Sequence, residues 1–404
     1  MNQVSFTKTV PEKALIEGYR TLTGKIALIY SDDFLKYDFG PSHPLRPTRL
    51  KLTFELLKAV GLLSKPFVNV YLPKQATEEE LLMVHNREYI EEVKAFSRTG
   101  VGYLDLGDTP AFKGIHEATS TAVGGSIVAA DLIMKGTAIH AFNPAGGLHH
   151  AGKDHAAGFC VYNDVAVAIK HIQRTYGIKR VAMVDIDVHH GDGTQAIFYG
   201  DPTVLGIDLH EDGRFLYPGT GFVQEIGEGE GRGFKVNVPL PPLTSGECYL
   251  RAFDRIVPPL LRAFKPELIV NQFGVDTHCD DPLAHLSLTM GVYGELASRM
   301  HSLAHEITGG KYLVLGGGGY KPESVARAWT VMFSKLCETK ISDRIPENWL
   351  NFSRETMKRE PPISFSDKYE RSINNSERET ITEEIEQVIG EIKREVFPMH
   401  GIRQ

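Results

Sequence analysis

From Lys25 onward the chain repeats one pattern: a short apolar run, a loop rich in Gly, Pro, His or Asp, and a stretch of helical periodicity. The apolar runs cover residues 26–30, 138–142, 181–184, 204–207, 268–270 and 312–315. Runs this short, rich in β-branched residues and alternating with helical patterns, predict buried strands of a parallel sheet in an α/β fold. Helical spacing predicts helices over 78–97, 115–134, 161–176 and 293–307. Residues 1–24 are mixed and polar and read as an N-terminal extension to a body spanning 25–349. Residues 350–404 form a C-terminal segment whose first part, 350–376, is polar and carries Pro361-Pro362. A last helix is predicted over about 376–397, with Ile381, Ile385, Val388, Ile389, Ile392 and Val396 on one face and Ser376 with Glu379 as a capping box. That apolar face predicts packing on the body. No internal repeat is visible.

At 404 residues the chain holds one large or two ordinary domains, and 42% hydrophobic content is ample for a core. Its net charge of −7 gives no bulk basic character, so neither nucleic acid nor an anionic membrane is the expected partner. Cys160, Cys248, Cys279 and Cys337 are far apart and form no CxxC pair, which predicts free thiols in a reducing compartment. The N-terminus lacks the apolar run of a signal peptide, and nothing approaches 18 continuous apolar residues. A soluble, cytoplasmic protein is expected.

Four of the apolar runs end in polar clusters. Residues 138–142 lead to Asn143-Pro-Ala-Gly-Gly-Leu-His149-His150, and 181–184 to Asp185-Ile-Asp187-Val-His189-His190-Gly-Asp192-Gly. Residues 268–270 lead through Asn271-Gln-Phe-Gly-Val to Asp276, and 312–315 to four glycines and Tyr320. The C-terminal ends of parallel strands share one edge of the sheet, where ligands bind, so the clusters are expected to converge. Asp185, Asp187 and His189 alternate, and on an extended strand they point the same way. Two carboxylates and an imidazole there are costly without a cationic partner. Asp187, His189 and Asp276 would give one His, two carboxylates and an open fourth position, the layout of a catalytic rather than a structural zinc site. A lone Asp-x-His is an ordinary loop; this run beside three further clusters is not.

His149-His150 follows a Gly-Gly turn that lets the backbone approach a site closely. Amide hydrolysis needs a base for water and an acid for the departing amine, and two imidazoles divide that work if carboxylates orient them. Asp185 and Asp192 are left for that role. Tyr320 is positioned to donate a hydrogen bond to a developing oxyanion. Other motif readings fail: Gly147-Leu-His-His-Ala-Gly-Lys153 is followed by Asp154 instead of the Ser/Thr of a phosphate loop. Gly227-Glu-Gly-Glu-Gly231 misses dinucleotide spacing, and no G-x-S-x-G occurs.

With these residues in place, the chain resembles histone deacetylases, especially the prokaryotic class I-like deacetylases of the acetoin-utilisation type. The likeness runs from about Ile26 to Phe333. It rests on His43-Pro-Leu-Arg-Pro-Thr-Arg49, Leu82-Met-Val-His85-Asn-Arg-Glu-Tyr89, Pro144-Ala-Gly-Gly-Leu-His149-His150, Gly158-Phe159-Cys160, Val184-Asp-Ile-Asp-Val-His-His-Gly-Asp-Gly193, Tyr217-Pro-Gly-Thr-Gly221 and residues 316–320 followed by Ala326-Arg-Ala-Trp329. The resemblance implies an arginase–deacetylase α/β fold, a central, mostly parallel sheet with helices on both faces. It implies zinc held by Asp187, His189 and Asp276, a general base at His150 partnered by His149, Asp185 and Asp192 behind them, and a carbonyl-polarising Tyr320. Gly158, Phe159, Tyr217 and Leu283 match an acyl-lysine tunnel, Asp108 a rim aspartate that grips substrate backbone, and Arg49 an internal exit cavity. A structural potassium ion is implied at Asp185, Asp187, His189, Asp208 and Leu209; here the chain departs from the family, since Asp208 stands where a serine is usual. Residues 277–281 (Thr-His-Cys-Asp-Asp) depart as well, at the rim.

The expected activity is therefore zinc-dependent removal of acetyl from acetylated lysine in proteins or peptides. One His and two carboxylates suit ferrous iron equally well. Two other enzymes of the same fold compete: an acetylpolyamine or small acyl-amine amidohydrolase, and a binuclear arginase-like hydrolase, in which the two histidines and Tyr320 have no role. A non-catalytic acetyl-lysine reader is the reading from another class, and an intact ligand set and Tyr320 weigh against it.

Overall fold

The chain builds eight short strands among the residues described by the computed structural model, 25–367 and 374–403. They are β1 Ile26–Ile29, β2 Val68–Tyr71, β3 His140–Asn143, β4 Val181–Asp185, β5 Val204–Glu211, β6 Lys235–Leu240, β7 Leu268–Gln272 and β8 Tyr312–Leu315. They form one sheet in the order β2-β1-β3-β8-β7-β4-β5-β6, and every pairing is parallel. The central strands are buried along their whole length, as parallel strands covered on both faces must be.

The helices are α1 Thr48–Ala59, α2 Glu78–Leu81, α3 Arg87–Thr99, α4 Ile115–Met134, α5 Asp164–Tyr176, α6 Asp192–Ile197, α7 Gly246–Phe264, α8 Met290–Thr308, α9 Pro322–Leu336, α10 Glu347–Met357 and α11 Asn375–Glu395. Helix α4 packs on α5 and against β1, β3 and β8. A second group, α7, α8, α9 and α1, packs together, with α7 on β4 and β5 and α8 on β7 and β8.

Four strand ends lie level: Asn143 of β3 pairs with Leu315 of β8, Leu315 with Gln272 of β7, and Gln272 with Asp185 of β4, which in turn pairs with Asp208 within β5. The four central strands, β3, β8, β7 and β4, carry the four polar clusters.

Several local expectations change. The predicted helix over 78–97 is two helices, α2 and α3, because tertiary bonds occupy the residues between them. The Asn86 N–H donates to the Lys153 carbonyl at 2.8 Å, and the Asn163 N–H donates to His85 Nε2 at 3.0 Å. The helix predicted from 161 starts at Asp164, capped by the Asn163 side chain on the Ala166 N–H. The helix predicted from 293 starts three residues earlier, at Met290. Strand β5 runs on to Glu211 because its buried polar residues find partners: Asp208 with His210, and Glu211 with His285. Strands β2 and β6, the two edges, are absent from the run of predicted strands.

The last helix is capped two residues earlier than expected. Asn374 and Glu377, not Ser376 and Glu379, form the capping box. Asparagine just outside the helix satisfies the first free N–H groups, and Ser376 lies within the first turn instead. Ile381, Ile385, Ile389 and Ile392 are buried, and α11 packs on α7 and β6. Residues 1–24, read as an extension, lie outside the described residues.

Candidate metal and catalytic centre

Strand β4 ends at Asp185, and the chain then turns through Asp187 and His189 into α6. Asp276 arrives from the loop after β7. Its Oδ1 accepts the Val188 N–H at 2.8 Å, which ties the two loops together. His189 Nδ1 lies 3.2 Å from both Asp187 Oδ1 and Asp276 Oδ2. All three side chains are buried, and their ligand atoms lie within 4.8 Å of one another. Ligands at 2.0–2.2 Å from a tetrahedral ion are about 3.3 Å apart, so the spacing fits one divalent cation.

The charges fit as well. Burial pushes Asp276 up, and the neighbouring Asp187 adds to it. Burial works to lower His189, but the hydrogen bonds and charges of Asp187 and Asp276 outweigh it and raise its pKa to about 10. The metal-free cluster thus holds protons that a bound dication would replace, as ligand atoms must be deprotonated to coordinate.

Two neighbours orient Asp187. Gln272 Nε2 donates to its Oδ2 at 2.6 Å, and the Gly318 N–H donates to the same oxygen at 2.7 Å. The glycine is required there, since a Cβ at Gly318 would collide with Asp276. Gln272 sits in a cluster that the sequence brings forward, but its bond to Asp187 comes only from the alignment of β7 beside β4.

The two histidines stand on the loop after β3. His149 Nδ1 is 2.8 Å from Asp185 Oδ2, His150 Nδ1 is 2.7 Å from Asp192 Oδ1, and the two Nε2 atoms are 3.1 Å apart. Burial, reinforced by His149, lowers His150 to a pKa of about 4, so it is a neutral base near pH 7. Asp164, which the sequence reading passed over, holds this loop: its carboxylate accepts the Leu148 N–H at 2.7 Å and the Gly147 N–H at 3.1 Å. As the first residue of a helix, it carries no periodic signal.

Tyr320 follows β8, its ring 6.3 Å from that of His189. Burial, and then Asp276 and Asp187, push its phenol well above the ordinary range, so it remains a donor. Its N–H donates to Asp281 Oδ2 at 2.7 Å, and Asp281 also accepts the Leu283 N–H at 3.0 Å. Asp281 is therefore a positioning residue, and it lies in the stretch where the chain departs from the family pattern.

A cavity of about 20 Å³, room for a water-sized group, is walled by Arg49, His149, His150, Phe159, Asp187 and Tyr320, among others. Arg49 is buried, donates to the Gly319 carbonyl at 3.1 Å and lies over the Trp329 ring. Gly158 presses on the ring of His150, which a side chain there would strike. Phe159 adopts a left-handed φ of 68°, a conformation costing about 1–3 kcal/mol outside glycine. It is held there by its N–H on Thr109 Oγ1 and by Tyr37 Oη on its carbonyl. Its ring lies 5.8 Å from that of Tyr320.

Tyr217 stands across the site, 5.2 Å from the His150 ring and 43% exposed. Asp108 is exposed, its carbonyl 3.1 Å from His43 Nε2. Leu283 is half-buried on the loop that Asp281 holds. Asp108, Tyr217 and Leu283 stand outside the cavity wall.

On the other side of Asp185 lies Asp208. Burial, then Asp208 and Asp187, push Asp185 well above the carboxylate range. Asp208 is already engaged: Oδ1 lies 2.6 Å from His210 Nδ1, and Oδ2 accepts the Gly191 N–H at 2.9 Å. The Leu209 carbonyl accepts Tyr249 Oη at 3.2 Å. The four cysteines are unpaired, and no helix among the described residues is long and apolar enough to cross a membrane.

Residues 43–336 match the family model of the histone deacetylase domain. The acetoin utilization protein AcuC of Bacillus subtilis is 42% identical over 330 residues, covering 80% of this chain and 84% of that protein. AcuC of Staphylococcus aureus strain MRSA252 is 40% identical, covering 81% and 86%, and AcuC of Staphylococcus xylosus 38% identical, covering 88% and 94%.

Proposed function

The chain belongs to the histone deacetylase family, as a deacetylase of the acetoin-utilisation type with the arginase–deacetylase fold, and from that premise we propose that it hydrolyses the acetyl amide of acetylated lysine in proteins, using a divalent metal. The observation carrying this reading is the convergence of Asp187, His189 and Asp276 within 4.8 Å of one another, beside a cavity walled by His150 and Tyr320. Asp187, His189 and Asp276 would hold zinc or ferrous iron, which would supply Lewis-acid polarisation of the acetyl carbonyl and lower the pKa of water.

The remaining work belongs to side chains. Asp192 keeps the His150 hydrogen on Nδ1, so Nε2, which lies 3.1 Å from His149 Nε2, is the nitrogen that accepts the proton of the attacking water. The Tyr320 hydroxyl donates to the oxyanion that develops on the acetyl oxygen. The His149–His150 dyad, backed by Asp185 and Asp192, returns the proton to the departing lysine amine as acetate forms. Gly158, Phe159, Tyr217 and Leu283 flank the acyl-lysine stem, Asp108 holds substrate backbone at the rim, and Arg49 lines the way out for acetate.

Asp185, Asp187, His189, Asp208 and Leu209 are proposed to hold a potassium ion beside the dyad. The 2.6 Å contact of Asp208 with His210 favours a second reading, in which the His210 imidazolium supplies the positive charge. Turnover that falls when potassium is replaced by choline supports the ion; potassium-independent turnover that collapses in Asp208→Ser supports the imidazolium.

The free thiols and the absence of a membrane-crossing helix among the described residues support action in the cytoplasm. No nucleic acid or membrane partner is proposed. The deciding experiment is deacylation of acetyl-lysine peptides against acetylated putrescine and spermidine, with and without chelator. Faster turnover of the polyamines transfers the activity to small acyl-amines, and chelator-resistant turnover removes the metal.

A further inference from the structure

Three histidines meet at the opposite edge of the sheet. His140 is the first residue of β3, and His301 and His305 stand one turn apart on α8. His305 Nε2 lies 3.2 Å from His140 Nε2 and 3.1 Å from His301 Nε2. Each residue offers a ring nitrogen within 4.8 Å of the others. Nitrogens at 2.0–2.1 Å from one tetrahedral zinc ion are about 3.3 Å apart, so the two separations from His305 match those of a ligand set. Histidines four residues apart on one helix face supply two ligands at fixed separation, and the strand fixes the third.

Hydrogen bonding alone accounts poorly for this arrangement. Buried polar groups are normally partnered. His140 is only 2% exposed, and its Nε2 and that of His301 both face the single Nε2 of His305, which as one N–H or one lone pair cannot serve both fully. Burial lowers all three imidazoles, so each offers a lone pair at neutral pH. Glu338 raises the charge affinity of His305 against that trend and shares with His301 the lining of an open cleft of about 520 Å³. The cluster can therefore be reached by an ion, and a negative group stands near it.

We propose that His140, His301 and His305 form a divalent metal site of their own, for a borderline transition ion such as Zn²⁺, Co²⁺, Ni²⁺ or Cu²⁺. Three neutral nitrogens favour these ions over Mg²⁺ or Ca²⁺, which take oxygen ligands. The ion would tie the start of β3 to α8, away from the deacetylase centre, and the proposal does not depend on that centre's chemistry.

The test is metal counting on the full-length chain after demetallation, reloading with Zn²⁺ and dialysis. Wild type is expected to keep two ions per chain, Asp276→Asn one, and the double variant His301→Ala, His305→Ala one. The double variant is expected to keep wild-type deacetylation at saturating zinc. Asp276→Asn leaves the three histidines untouched, so Co²⁺ in that variant is expected to give the visible ligand-field bands of a nitrogen-coordinated site. A wild-type count of one that falls to zero in Asp276→Asn overturns the proposal and leaves the deacetylase centre standing. A double variant that loses no ion also overturns it. An ion retained in Asp276→Asn and lost in the double variant supports it, whatever the catalytic outcome.

Discussion

Tyr320 and His150 are held by different means, and their substitutions separate accordingly. Tyr320 is fixed through its backbone N–H on Asp281, so removing its hydroxyl leaves the loop in place. Tyr320→Phe is expected to retain its metal and lose about 10²–10³ in kcat, the worth of one oxyanion donor. Near-normal turnover in that variant assigns carbonyl polarisation to another group. The ligands make a prediction about pH. Burial and Asp187 raise Asp276, and the two carboxylates raise His189, so at neutral pH metal binding must displace protons. Affinity is therefore expected to tighten as pH rises from 6 to 8 and the enthalpy of binding to depend on buffer ionisation. A pH-independent Kd contradicts the protonated cluster.

At the scale of elements, the loops after the strands carry the chemistry, and other segments brace them. Asp367, just after α10, accepts the Met290 N–H at 2.7 Å and contacts His278 Nε2 and Arg327, and so joins the C-terminal segment to the loop after Asp276. Burial alone would raise this carboxyl, but the His278 hydrogen bond and charge win and hold its pKa at about 2. A depressed folded pKa contributes stability that is present above the unfolded value and lost as pH falls through the folded one. Asp367→Asn is thus expected to cost about 1–2 kcal/mol near neutrality, with allowance for partial solvent screening, and to flatten the loss of stability between pH 4 and 2 in urea unfolding. The chain's alternation made most elements legible. It misplaced those whose limits are set by partners distant in sequence. The break between α2 and α3 depends on Lys153 and Asn163, and the polar end of β5 depends on His285. Asp281 and Gln272 were in view as letters, but their roles exist only once Tyr320 and Asp187 are beside them.

For the whole molecule, the convergence of four clusters was legible because strand direction alone dictates it. Asp185 and Gln272 are adjacent in the sheet although 87 positions separate them in the chain. The three-histidine group on the far edge was not legible: His140, His301 and His305 look like scattered imidazoles until β3 and α8 pack. The level register of β3, β8, β7 and β4 has one further consequence. Backbone amides of Val184, Val270 and Val314, in the strands beneath the reacting groups, open only when the sheet itself comes apart. Native-state hydrogen exchange is expected to show these amides leaving with the free energy of global unfolding. Amides that leave only in this way would mean an enzyme with no half-melted resting form, whose inactivation on heating is expected to coincide with the loss of the whole fold.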